Sequence, residues 1–220
     1  MRLAPFLLSL LVGIPSITVA VPIVDTNPAV EALEMAAMPY FELLQLPMDF
    51  DMSNPALNIT YLLELKAKDP NAELPQLPAD LPIISVPNRL KDGNDFGSAV
   101  EDKIVCETDK RASPFHEYVW KNAKALKDIG NSWCCQSSLT APCTKMTSFA
   151  NAATDICGAR GSCVRCNWAG NANYLIAFGC LGGGPPAINN IWCGGYVRKT
   201  ISTFNPYTVD VNVYTLKNKK

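Results

Sequence analysis

The clearest pattern of apolar and polar positions lies near the end of the chain. In YTVDVNVYTL (residues 207–216), Val209, Val211 and Val213 alternate strictly with Asp210, Asn212 and Tyr214, which predicts a half-buried strand. Upstream the period changes. ASPFHEYVWKNAKALKDIG (residues 112–130) places Phe115, Val119, Ala123 and Leu126 at helical spacing. Ser113 stands as N-cap, Pro114 at the first helical position and Gly130 as stop. CTKMTSFANAATDICG (residues 143–158) repeats that pattern, with Met146, Phe149, Ala153 and Ile156 on one face, and predicts a second helix. CNWAGNANYLIAFGCLGGG predicts a third, from about Asn167 to Cys180, weakened by Gly170. KIVCE (residues 103–107) reads as a short strand, and IWCGGYVRKTIS (residues 191–202) as one strand with a glycine bulge.

Residues 21–98 follow another rule. Ten prolines between Pro22 and Pro87 forbid long helices and central strands, and PNAELPQLPADLPIISVP reads as an extended polyproline-type tract. The short apolar patches YFELLQL and ITYLLEL are richer in leucine than disordered chains, which leaves room for partial order or docking. The expected architecture is therefore α+β: a disulfide-rich two-layer α/β sandwich with an antiparallel sheet over residues 99–220, preceded by a proline-rich segment of low order. With about 120 residues, that domain buries a modest core.

Charge sharpens the division. Residues 21–100 hold four Lys/Arg against twelve Asp/Glu, net −8; residues 101–220 hold fourteen against eight, net +6. All four tryptophans and all nine cysteines lie in the basic part. The acidic segment has two readings: a pro-segment masking a basic surface, or a solubilising extension. Residues 1–20, MRLAPFLLSLLVGIPSITVA, have the grammar of a secretory signal: Arg2, a short apolar run, and small residues up to Ala20. No later run is long and apolar enough to predict a transmembrane anchor. Export makes Asn58, in the sequon NIT, a glycosylation candidate. It also makes the dibasic pair Lys110–Arg111 a possible processing site.

In an oxidising compartment, Cys106, Cys134, Cys135, Cys143, Cys157, Cys163, Cys166, Cys180 and Cys193 predict a disulfide framework with one cysteine left over. The spacing CVRC suits zinc or redox chemistry, but His116 is the sole histidine and no second CxxC completes a four-ligand site. Adjacent Cys134 and Cys135 should bond different partners, since a ring closed between neighbours is strained, while Cys143 anchors the following helix. Eight paired cysteines allow 105 connectivities, and the spacing alone selects none.

The ordered landmarks VCETDKRASPFHEYV, CCQ, CTKM, AATDICG, GSCVRC and a late CGGYV resemble the fungal small secreted cysteine-rich proteins. That group is similar to a mushroom glycan-binding protein and, more distantly, to an α/β-sandwich fungal killer toxin. The resemblance covers about residues 101–216. It implies an α/β sandwich with intramolecular disulfides, secretion, and binding of carbohydrate or a host surface. The acidic N-terminal part and the PPAINNIW insertion depart from the pattern.

Catalytic chemistry finds little to build on. A triad would need His116, which stands beside Glu117 in a helix's first turn, and adjacent helical side chains diverge by about 100°. No spacing pairs two carboxylates, and no phosphate-binding or dinucleotide motif is present. The expectation is a non-enzyme without cofactor, metal or nucleic-acid partner. Trp168 with Asn171 and Asn173 offers an aromatic face and amides suited to sugars, and Trp192 and Tyr196 share a predicted strand face; core packing competes for all five. Arg198, Lys199 and the terminal Lys217, Lys219 and Lys220 give a basic edge, readable as a surface for anionic partners or, more commonly, as a solvated end. Two functions follow: a secreted binding protein or effector directed at glycans or a cell surface, and a toxin-like protein with the N-terminal part as pro-segment.

Overall fold

The computed structural model describes residues 40–87, 100–109, 112–182, 191–201 and 207–215. The expected signal at 1–20, the dibasic pair Lys110–Arg111 and the terminal lysines lie outside these residues. In chain order the elements are β1 (Tyr40–Gln45), a 3-10 turn (Pro55–Leu57), α1 (Ile59–Lys68), β2 (Ile83–Pro87), β3 (Val100–Cys106), α2 (His116–Asp128) and β4 (Trp133–Cys135). There follow β5 (Cys143–Phe149), β6 (Ala152–Gly158), β7 (Ser162–Arg165), α3 (Cys166–Gly179), β8 (Leu181–Gly182), β9 (Trp192–Cys193), β10 (Gly195–Ile201) and β11 (Tyr207–Thr215). The class is α+β with antiparallel sheets, as the pattern implied.

The strands of the described residues form three sheets. A five-stranded sheet runs β3-β10-β11-β6-β5, a four-stranded one β2-β1-β7-β4, and β8 pairs with β9. Helix α3 packs on α2 and on strands of all three sheets, so it is buried nearly all round. Val119, Leu126, Met146, Ile156, Trp168, Ile176 and Val197 form one core with it. Gly170 makes the helix contact possible: a Cβ there would sit 2.8 Å from the Ala123 carbonyl oxygen. The residue that weakens α3 as an isolated helix is the one that lets it pack.

Residues 40–87 of the acidic N-terminal part are built into this arrangement. β1 is an inner strand, pairing Leu43 with Ile84 of β2 on one side and with Val164 of β7 on the other. Phe41, Leu43, Ile59 and Leu62 belong to the same core as Val119 and Trp168. Glu42 pairs with Arg165 at 2.5 Å, and that guanidinium lies 3.8 Å from the Trp133 ring. The prolines do limit what forms here: α1 has ten residues, and residues 70–82 carry no regular element. Enough leucine remains to dock what lies between them.

One predicted helix is a hairpin. Residues 143–158 form β5 and β6, paired from Cys143↔Cys157 to Phe149↔Ala152, with a bulge at Met146 and a tight turn at Ala150. Met146 and Ile156 still face the core, because apolar positions three, seven and ten apart serve a bulged hairpin as well as a helix. The disulfide Cys143–Cys157 decides the matter: in a helix its ends would stand about 21 Å apart. Cys143 therefore fixes a hairpin rather than a helix start.

Smaller corrections concern ends and edges. α2 begins at His116 with Phe115 as N-cap, because the Ser113 hydroxyl is engaged by the Asp109 N–H at 2.8 Å instead of capping. α3 runs from Cys166 to Gly179, one residue earlier than its pattern predicts. The strand expected over 191–202 divides at Gly194 into β9 and β10. Gly195, at φ 145°, passes so close to β3 that a Cβ would lie 2.1 Å from the Val105 carbonyl oxygen. Lys199 is not on a solvated edge. It alternates inward with Gly195 and Val197, is 1% exposed, and holds its ammonium 4.9 Å from the centre of the Phe41 ring.

Four disulfides close the structure: Cys106–Cys180, Cys134–Cys166, Cys135–Cys163 and Cys143–Cys157. The vicinal pair and the CxxC pair are laced to each other, since β4 lies antiparallel to β7 with Cys135 opposite Cys163. Neither pair closes on itself. Cys193 is the remaining thiol, fully buried.

Candidate functional site

Three of the residues expected to hold a ligand are inside. Trp168 is 3% exposed and meets Phe41 edge to face at 4.9 Å. Asn171 is buried beside it in the same helix. Asn173 donates from Nδ2 to the Thr154 hydroxyl at 2.8 Å and to the Val119 carbonyl at 3.3 Å. The Asn173 amide nitrogen thus joins α3 to β6 and α2, while the Oδ1 atoms of Asn171 and Asn173 are buried without a hydrogen-bond partner. Tyr196 is half-buried on β10, with the Arg198 guanidinium 5.1 Å from its ring.

Trp192 alone of the five belongs to a larger constellation. Its ring stacks on Phe115 at 5.9 Å, Phe115 meets Tyr118 at 5.8 Å, and Tyr118 meets Phe149 at 5.5 Å. The Lys121 ammonium caps this row, 4.6 Å from the centre of the Phe149 ring, and pairs with Glu117 at 2.6 Å. Phe149 is 43% exposed, while Trp192, Phe115 and Tyr118 are half-buried. Three elements converge to make the row. The bridge between Phe115 and Trp192 brings β9 to the start of α2, and the His116 N–H donates to the Ile191 carbonyl at 2.9 Å. The Asn151 side chain in the β5–β6 turn accepts from the Phe115 N–H at 3.4 Å, which brings the hairpin tip alongside.

Phe115, Tyr118 and Phe149 escaped notice in the sequence because helical spacing assigned Phe115 and Phe149 to core faces. The available signal was Tyr118, three residues beyond Phe115 and therefore on nearly the same side of α2.

His116 lies behind the row, edge to face with Phe178 at 4.7 Å. Burial holds its pKa below the ordinary value, and the neighbouring Glu117 carboxylate only partly opposes that shift. Burial also pushes the Cys193 thiol up to about 12. Asn58 is exposed and caps α1, its Oδ1 accepting from the Tyr61 N–H at 3.1 Å. Among the described residues no three His, Cys, Asp or Glu side chains are grouped to hold a metal ion. No helix of the described residues is long and apolar enough to cross a membrane.

Comparison with protein-family models, with curated proteins and with solved structures finds no match.

Proposed function

We propose that the chain is an exported, non-enzymatic binding protein directed at carbohydrate on a cell surface, with the row Trp192–Phe115–Tyr118–Phe149 as its recognition surface. The observation that carries this reading is the row itself: partly exposed rings from three elements, ending at a Lys121–Glu117 pair. Aromatic faces stack on the C–H faces of pyranose rings, and charged side chains beside them take the hydroxyls. Four disulfides in one chain of this size accord with an oxidising compartment.

The test is titration of the intact protein with soluble chitin and β-glucan oligosaccharides, followed by intrinsic fluorescence and by co-sedimentation with the insoluble polymers. Phe149→Ala and Tyr118→Ala each remove one ring, and a ring contact of about 1–2 kcal/mol corresponds to a loss of roughly 5- to 30-fold in affinity. Absence of saturable binding across the panel, or equal binding by the double variant, refutes the reading. Growth arrest of exposed cells without sugar binding would select the toxin-like alternative.

A further inference from the structure

We infer that the loop between β4 and β5 is a substrate-like binding loop that occupies the cleft of an endopeptidase with an apolar primary pocket, with Leu139 as the residue in that pocket. Leu139 is 77% exposed at the tip of residues 136–142, which carry no regular element. A single exposed leucine is ordinary on any surface. The framework holding this one is not.

Both ends of the loop are covalently fixed, by Cys135–Cys163 on one side and Cys143–Cys157 on the other. Between them runs a dense set of hydrogen bonds centred on two side chains. Gln136 is buried and donates from Nε2 to the Ala141 carbonyl at 2.9 Å, while its Oε1 accepts from the Ser138 N–H at 3.0 Å and from the Thr144 hydroxyl. The Thr144 oxygen accepts from the Ser137 and Ser138 N–H groups at 2.8 and 2.9 Å. The Ser138 hydroxyl oxygen accepts from Ala141 N–H at 2.9 Å and Thr140 N–H at 3.3 Å, spanning the tip. Among the described residues the Leu139 N–H and C=O make no hydrogen bond, nor do the neighbouring Ser137, Ser138 and Thr140 carbonyls, so the tip keeps main-chain groups free for a partner.

That combination selects the partner. An endopeptidase cleft reads a protruding strand through main-chain hydrogen bonds beside one deep side-chain pocket, and such a pocket in chymotrypsin-like enzymes is an apolar slot. The loop offers an apolar side chain, its own free main-chain groups, and a conformation whose ordering cost is already met on folding. A second contact lies alongside. Met48, 95% exposed, sits on a turn tied to the same corner: the Leu46 N–H donates to the Gly161 carbonyl at 2.9 Å, and the Gly161 N–H donates to the Gln136 carbonyl at 2.8 Å. Gly161, at φ 83°, allows that close approach.

The same framework makes the loop an inhibitor rather than a good substrate. Hydrolysis would add water across the Leu139–Thr140 peptide bond, giving a carboxyl on Leu139 and an amine on Thr140. Neither new end could leave: Ser138 stays bound through Thr144 and Cys135, and Ala141 stays bound through Gln136, Ser138 and Cys143. The amine remains at the acyl carbon, and the bond re-forms with loss of the same water.

The test uses the full oxidised chain against chymotrypsin, subtilisin and trypsin with chromogenic peptide substrates. The expected result is competitive inhibition of chymotrypsin or subtilisin, weakened roughly 30-fold or more by Leu139→Ala, as for an anchor residue. Leu139→Lys should lose that inhibition and gain inhibition of trypsin, a switch that general unfolding cannot produce. Three outcomes overturn the inference: no inhibition by micromolar wild-type protein, inhibition indifferent to Leu139→Lys, or cleavage at Leu139 as fast as in the reduced, unfolded chain. None bears on carbohydrate binding, which uses other residues.

Discussion

Replacing Phe41 with alanine tests whether the acidic N-terminal part is a structural member or an appendage. Phe41 is 1% exposed, faces Trp168 edge to face at 4.9 Å, and lies under the Lys199 ammonium. Its strand is flanked on both sides, so the hole cannot be filled by a sheet edge moving inward. Deleting a fully buried phenylalanine costs about 3–5 kcal/mol through lost transfer energy and the cavity left behind. At about 2–4 °C per kcal/mol for a chain of this size, the midpoint should fall by roughly 6–20 °C. The assay is thermal unfolding followed by near-ultraviolet circular dichroism, with the disulfides kept oxidised so that only packing changes. Met48→Ala, at an exposed position, is the control and should stay within about 0.5 kcal/mol of wild type. A Phe41→Ala protein melting with the wild type would refute the reasoning, because β1 could not then be an inner strand of the core.

Cys193 should resist alkylation in the folded protein at pH 8: with its thiol pushed up to about 12, only about one molecule in ten thousand carries the thiolate. Denaturant without reductant should expose one reactive thiol and reductant should expose nine; stoichiometric labelling of the native protein would contradict the buried placement. His116 has a folded pKa below its unfolded value, so the unfolded chain binds the extra proton. Its contribution is whole above about 6.5 and is lost as pH falls through that value toward the folded pKa. His116→Gln should flatten denaturation midpoints measured between pH 7 and 5, and an unchanged slope would refute the burial argument. Cleavage after Arg111 should not release the basic part, because Cys106–Cys180 spans the cut. A kexin-type protease should yield one species on a non-reducing gel and two after reduction; separation without reductant would show that this disulfide is not formed.

Legibility in the sequence tracked how local the deciding interaction was. The α2 and α3 spans, the β11 alternation and the separate partners of the vicinal cysteines rest on residues a few positions apart, and all could be read from pattern and ring strain. The β5–β6 hairpin could not, because a bulge at Met146 shifts the period of a strand toward that of a helix. Only a covalent partner fourteen residues away distinguishes the two. The place of β1 was hidden for a related reason: prolines on either side marked the segment as extended, while its partner β7 lies more than a hundred residues on. For the candidate sites the decisive quantity was exposure, which sequence carries weakly. Trp168, Asn171 and Asn173 have the composition of a sugar site and the burial of a core. Phe149 has the spacing of a core residue and the exposure of a contact.

The laced cysteines connect these two failures. Linking Cys134 and Cys135 to Cys166 and Cys163 locks β4 beside β7 and the start of α3. β7 in turn is the strand on which β1 docks, so the framework of the basic part is also the template for the acidic part. The Glu42–Arg165 pair and the Arg165–Trp133 contact lie on that seam, where an acidic strand meets a basic one. The charge division that suggested two separable pieces is therefore, at this seam, complementarity within one fold. Glu42, paired with Arg165, and the leucines of β1 and α1 that lie in the core give residues 40–87 a structural role. Removal of residues 40–87 should accordingly expose the β7 edge and Trp168 together, and leave a destabilised chain rather than an activated one.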